Sequence, residues 1–281
     1  MNNDSIPYLI EPRKLESLLA DENLLIVDVG ARETYLQCHL PGAIHLDYND
    51  LILGRPPAPG LLPPLDKLQT VLQSIGLTAE KQVIAYDDQG NGRASRLLWT
   101  LEAVGHKKSS LLNGGLCAWS NEGHATESAP TQAEPRLYHI DKPGIDESPI
   151  EWNSSVIADQ AYVLASLADA HIMILDARSP DEYNGLKSPS LRNGHIPGAV
   201  NLNWLDSIDR ANNLRFKPAA TLNSMLAQLG IVREKEIIVH CQTHHRSSHS
   251  FVMLRHLGFD KIRGYAGSWS QWGNDPSLPI E

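Results

Sequence analysis

Residues 236–258 read EIIVHCQTHHRSSHSFVMLRHLG. The stretch changes character at Cys241. Before it stands Ile237-Ile238-Val239-His240, a short, almost continuous apolar run of the kind that forms a strand buried on both faces. After it, Phe251, Leu254, Arg255 and Leu257 fall at near-helical spacing. Gly258 follows as a candidate C′ residue. The pattern predicts a strand, a loop and a helix, with a thiol at the carboxyl end of the strand, where parallel α/β sheets collect their ligands.

Most cysteines are small apolar fillers, but Cys241 has an uncommon setting. Ser247 or Ser248 is a natural N-cap for the helix, so the residues from Gln242 to Arg246 must turn around the sulfur. Such a turn can aim several backbone N–H groups inward as an anion nest. A helix N-terminus adds positive partial charge and Arg246 adds a full one. Together they favour a thiolate and an anion bound beside it. Cys38 and Cys117 have no comparable surroundings and read as inert. Cys241, His244, His245 and His249 crowd one turn instead of forming two separated ligand clusters, so no metal is expected. The histidines read as polar loop residues, and either His244 or His245 could face a substrate.

Outward from this stretch, the chain is written twice. LLIVDVGARETYLQCHLPGAIHLDY (24–48) parallels IMILDARSPDEYNGLKSPSLRNGHIPGAVNLNW (172–204). QVIAYDDQGNGRASRLLWTLEAVGH (82–106) parallels the opening stretch, and LLNGGLCAW (111–119) parallels KIRGYAGSW (261–269). The order is the same in both halves, which marks a tandem duplication. The expected division is an N-terminal domain over 1–125, an extended linker over 126–150 and a C-terminal domain over 151–281. The linker contains Pro130, Pro135, Pro143 and Pro149. The fold class is α/β: tandem domains, each a mostly parallel central sheet flanked by helices. Opposite Cys241 the first half has Asp87 or Asp88, which read as solvated loop acids. A carboxylate cannot form a persulfide, a thioester or a thiophosphate, so a duplication that keeps the thiol in one copy is expected to pair one catalytic domain with one scaffold.

Composition narrows the class. With 281 residues the chain exceeds a single domain of modal size. A formal net charge of −9 argues against nucleic-acid or anionic-membrane partners. The start MNNDSIPYLI lacks the marks of a signal peptide, and no apolar run is long enough for a membrane span. Three widely spaced cysteines make a poor disulfide framework and fit a reducing, cytoplasmic setting.

The chain resembles the two-domain rhodaneses, thiosulfate sulfurtransferases, over about residues 8–275. The matching motifs are VDVGARETY with CHLPGA, LDARSPDEY with GHIPGAVN, the loop CQTHHRS and the C-terminal GYAGSWSQWGN. The loop is most like that of the pseudomonad and Azotobacter branch. The resemblance implies an enzyme without a cofactor, working by double displacement. The Cys241 thiolate takes the outer sulfur of thiosulfate, sulfite leaves, and a thiophilic acceptor, cyanide in the assay, removes the sulfur from the persulfide. It further implies that Gln242, Thr243, His244, His245 and Arg246 cradle the sulfur and its donor. Trp204 would lie near the persulfide, and Asp176, Arg178 and Ser247 would support the site.

There are departures. Gln242 and Thr243 stand where the animal enzymes have Arg and Lys. Glu182 stands about where both these and the mercaptopyruvate sulfurtransferases carry a substrate-binding Arg. The alternative of 3-mercaptopyruvate or another donor is weakened accordingly. Cys38 stands where the family usually has Gly. A Cys-dependent phosphatase of the same architecture would need a loop one residue longer than the four residues between Cys241 and Arg246. A non-catalytic sulfur-carrier or binding module would not be expected to keep the cysteine.

Overall fold

The computed structural model describes residues 6–131 and 152–281. From residue 132 onward, the expected linker lies outside the described residues. Two five-stranded sheets repeat one topology. In the first half the order is β1 (Leu9–Ile10), β5 (Ser109–Leu112), β4 (Gln82–Tyr86), β2 (Leu24–Asp28), β3 (Ile44–His45). In the second it is β6 (Ile157–Ala158), β12 (Ile262–Tyr265), β11 (Glu236–His240), β7 (Ile172–Asp176), β8 (Val200–Asn201). The pairings within both sheets are parallel. A small two-stranded ribbon joins β9 (Ile208–Asp209) to β10 (Arg215–Phe216). The α/β class and the duplicated sheet read from the sequence are both present.

Chain order and sheet order differ in the same way twice because both halves cross over through helices. The apolar runs form the central strands because a parallel sheet covered on both faces leaves them no wet side. Ile26, Ile84, Tyr86, Leu112 and Trp119 form a core in the first half. Ile174, Ile238, Tyr265, Trp269 and Trp272 form one in the second. By packing, the chain falls into two compact units. One contains the first half up to Leu51 and from Pro63, together with Arg210–Arg215. The other contains Ile52–Leu62, Asn153–Asp209 and Phe216–Glu281.

The His-x-Pro-Gly-Ala segments serve the same local purpose in each half. The His39 ring stacks on Tyr35 at 4.0 Å and its Nδ1 meets the Tyr35 carbonyl at 2.6 Å. The His195 ring stacks on Tyr183 at 3.8 Å and meets the Tyr183 carbonyl at 2.9 Å. The residue before the histidine differs for a backbone reason. Gly194 has φ +111°, where a Cβ would meet the Glu281 carbonyl oxygen at 2.2 Å. Cys38 has φ −162°, an extended conformation open to any residue.

Candidate active site

Strands β7 and β11 run side by side with Asp176 opposite His240, and Cys241 is the next residue out. The thiol therefore sits at the carboxyl end of the central strand. It is fully buried. The helix that follows spans Arg246–His256, closes at Leu257, and passes to Gly258 at φ +83°. Gly258 is thus the C′ residue the spacing predicts.

The start of that helix differs from expectation. Its N-cap is His245, with no capping side chain, so Ser247 and Ser248 lie inside the first turn. Their hydroxyls are used within the loop instead. Ser247 Oγ meets His244 Nδ1 at 2.8 Å, and Ser248 Oγ donates to the His244 carbonyl at 2.5 Å. These bonds hold His244 at φ +56°, an uncommon value for a residue with a side chain. The reversal there folds the loop around the sulfur.

Burial raises the Cys241 pKa. The Arg246 charge, the Ser247 hydroxyl and the Ser247 and Thr243 backbone N–H groups, which hydrogen-bond the sulfur, lower it by more. The thiol is held below its ordinary range, because low dielectric strengthens the interactions with the charged form even as it penalises the charge itself.

Arg246 is shared. Its guanidinium hydrogen-bonds the Cys241 sulfur. It also makes a bidentate pair with Glu182, Nη1 to Oε2 at 2.6 Å and Nη2 to Oε1 at 2.8 Å. Burial alone would raise the Glu182 pKa. Arg246 and Ser179 outweigh it and bring the carboxyl down to about 2, so Glu182 is ionised. Glu182 is itself fixed in a capping box, in which its Oε2 accepts from the Ser179 N–H at 3.2 Å and the Ser179 Oγ at 2.9 Å. The sequence reading noted Glu182 only as a departure. Its tie to Arg246 was missed, although Ser179-x-x-Glu182 is a legible capping box.

Behind the loop, Asp176 and Arg178 form a fully buried pair, with Arg178 Nη2 at 2.6 Å and Nε at 2.9 Å from Asp176 Oδ2. Arg178 also lies over the Trp269 ring at 4.5 Å. The next turn of chain grips the loop backbone. Trp269 N–H donates to the Cys241 carbonyl at 2.9 Å and Ser270 N–H to the Gln242 carbonyl at 3.0 Å. Cys241 N–H donates to Ser268 Oγ at 3.3 Å. Gln242 Nε2 reaches Ser190 Oγ at 3.2 Å. His244 is buried, whereas Thr243 and His245 remain partly accessible. The Trp204 ring lies 6.1 Å from that of His245 and edge-on to His249 at 5.3 Å. Burial, with a smaller contribution from His245, takes the His249 pKa down to about 3, so its ring is neutral. Among the described residues no cluster of His, Cys, Asp or Glu is placed to hold a metal. All three cysteines are free thiols.

The first half holds the counterpart. Asp87, next after β4, takes the position of Cys241, and it is buried, which corrects the solvated-acid expectation. One carboxylate oxygen accepts from the backbone N–H groups of Gln89 at 2.8 Å and Asn91 at 2.7 Å. The other accepts from those of Arg93 at 2.9 Å and Ala94 at 3.1 Å. The nest is filled by the chain's own carboxylate. Asp88 is partly exposed and accepts from the Thr34 hydroxyl at 2.9 Å.

Fold and site together define a class: tandem α/β domains, one with a thiol seated in an amide- and arginine-lined loop at the end of its central strand. The family model of the rhodanese-like domain matches residues 11–122 and 159–275, and the chain belongs to the rhodanese family. Among curated proteins it is 38% identical over 277 residues to the thiosulfate sulfurtransferase of Azotobacter vinelandii, covering 99% of this chain and 98% of that one. It is 37% identical over 276 residues to that of Pseudomonas aeruginosa, covering 98% and 97%. A solved structure of the anaerobic ergothioneine biosynthesis enzyme from Chlorobium limicola shares the fold. It has a TM-score of 0.84 and 20% identity, and the match covers 98% of this chain and 70% of that one.

Proposed function

We propose that this chain is a thiosulfate sulfurtransferase that passes sulfane sulfur through a persulfide on Cys241. The observation that carries the reading is the buried thiol whose sulfur is met by two backbone amides, a hydroxyl and a guanidinium, a setting that favours its anion. The Cys241 thiolate attacks the outer sulfur of thiosulfate. A new S–S bond forms, the S–S bond of the donor breaks, and its electron pair leaves on sulfite. A thiophile, cyanide in the assay, then attacks the outer sulfur of the persulfide, and the electron pair of that S–S bond returns to Cys241. The two displacements balance without a cofactor or a net proton. Arg246, with the cradle from Gln242 to His245, orients the anionic donor, and Trp204 bounds the pocket beside His245. Asp176, Arg178 and Ser247 brace the loop.

Domain division follows the same logic. The stretch 1–125 is a scaffold whose nest Asp87 already occupies, 126–150 links, and 151–281 is catalytic. Free thiols on all three cysteines fit a cytoplasmic setting.

Intact mass after incubation with thiosulfate tests the reading. The expected product is heavier by about 32 Da, one sulfur on the thiol, in the natural chain and absent in Cys241→Ala, with thiosulfate:cyanide transfer abolished. Cys38→Ala and Cys117→Ala retain both. Sulfur loading or substantial turnover in Cys241→Ala would overturn it.

A further inference from the structure

The strap Ile52–Leu62 comes from the first half of the sequence but packs with the second unit. Its own hydrogen bonds close it into a compact shape. Leu53 N–H donates to the Leu61 carbonyl at 2.7 Å, Gly54 N–H to Pro59 at 2.9 Å and Leu61 N–H to Ala58 at 3.2 Å. Pro56, Pro57 and Pro59 stiffen it by restricting φ. Ala58 and Gly60 are its buried members from Gly54 onward.

Gly60 lies against the active loop. A Cβ on Gly60 would stand 2.1 Å from the carbonyl oxygen of Thr243, 2.6 Å from its carbonyl carbon and 2.9 Å from its Cα. All three are backbone atoms and cannot swing aside as a side chain would. Gly60 is not among the glycines with positive φ. What the position uses is therefore the missing side chain, which permits the close approach, and not backbone freedom.

The peptide it touches matters to the sulfur. The Thr243 N–H donates to Cys241, and the next residue, His244, carries the reversal of the loop. We propose that Gly60 is a positioning residue for the sulfur-transfer site: through contact with the Thr243 backbone, the strap 52–62 sets the shape in which the loop aims its amides at Cys241. The inference rests on Cys241 as the reacting thiol.

The test reads Cys241 alkylation by neutral iodoacetamide against pH, with no sulfur donor present. In Gly60→Ala the Thr243 backbone must shift and its hydrogen bond to the thiolate weakens. The alkylation midpoint should rise by about one pH unit, the scale of one hydrogen bond to a charged group. Thiolate at pH values below both midpoints should fall about ten-fold. Gly258→Ala, which strains the far end of the following helix, should lower stability without moving the midpoint. An unchanged midpoint in folded Gly60→Ala, or an equal rise in Gly258→Ala, overturns the inference. Should Gly60→Ala not fold, the strap variant Pro56→Gly/Pro57→Gly/Pro59→Gly replaces it. Relaxing the strap should also raise the midpoint, and an unchanged midpoint there overturns the inference equally. Because no donor is used, failure of thiosulfate to load Cys241 would sink the functional reading and leave this outcome legible. Normal loading with an unmoved midpoint would sink only the role of Gly60.

Discussion

Arg246 faces two groups, the Cys241 sulfur and the Glu182 carboxylate. The bidentate pair holds the guanidinium in one geometry, which lowers the entropic cost of presenting it to a donor. It also neutralises much of the charge that would attract that donor, in a chain of net charge −9. The local field therefore depends on the loop amides as much as on the arginine. Arg246→Ala removes a charge-assisted hydrogen bond and leaves Glu182 unpaired and half-buried. The expected loss in kcat/KM for thiosulfate is about ten- to a hundred-fold. Steady-state kinetics checks it, and an unchanged kcat/KM would mean that the guanidinium does not serve the donor.

At the scale of elements, the strand and the end of the helix follow from local chemistry, while the start of the helix does not. Ile237–Val239 are apolar and central, so they form a strand wherever the sheet is covered on both faces. Gly258 ends the helix because φ +83° suits only a residue without Cβ crowding. A Cβ there would make only ordinary van der Waals contact with the Arg233 guanidinium, at 3.7 Å, so Gly258→Ala meets conformational strain and not a clash. A loss of about 1 kcal/mol is expected, read as a lower denaturant midpoint with unchanged slope. At the other end, Ser247 has the chemistry of a cap but binds the sulfur and His244 instead. A hydroxyl chooses among acceptors by position, and the position is set by the turn at His244.

Across the whole molecule the duplication has diverged at one buried carboxylate. In the second half Asp176 meets Arg178. In the first the matching pair is Asp28 and Gly30, and the Gly30 N–H, at 2.7 Å, and Tyr86 hydrogen-bond the carboxyl. Burial first, opposed by those two hydrogen bonds and helped by the nearby Asp87 and Asp88, raises Asp28 to about 7. An unfolded aspartate titrates near pH ~3.9. The folded chain therefore holds this proton more tightly. Asp28 contributes full stability below about pH 4 and loses it as pH rises through about 7. Asp28→Asn, which keeps the shape and cannot ionise, should raise Tm by roughly 5 °C at pH 8. The gap should close toward pH 4. A gap of equal size at both pH values would show that ionisation of Asp28 is not its source.

The duplication, the α/β class, the strand-end address of Cys241 and the helix stop at Gly258 are legible in the order of residues alone. Each depends on order, period or the intrinsic conformation of one residue, and neighbours in the chain suffice to specify it. Packing in three dimensions set the rest. It tied Glu182 to Arg246 across 64 residues, seated the Asp87 carboxylate in its own nest and brought Gly60 against Thr243. Those outcomes depend on which groups the packed sheets bring within a few ångströms of one another. Electrostatic and steric effects act through that space, and separation along the chain does not specify it.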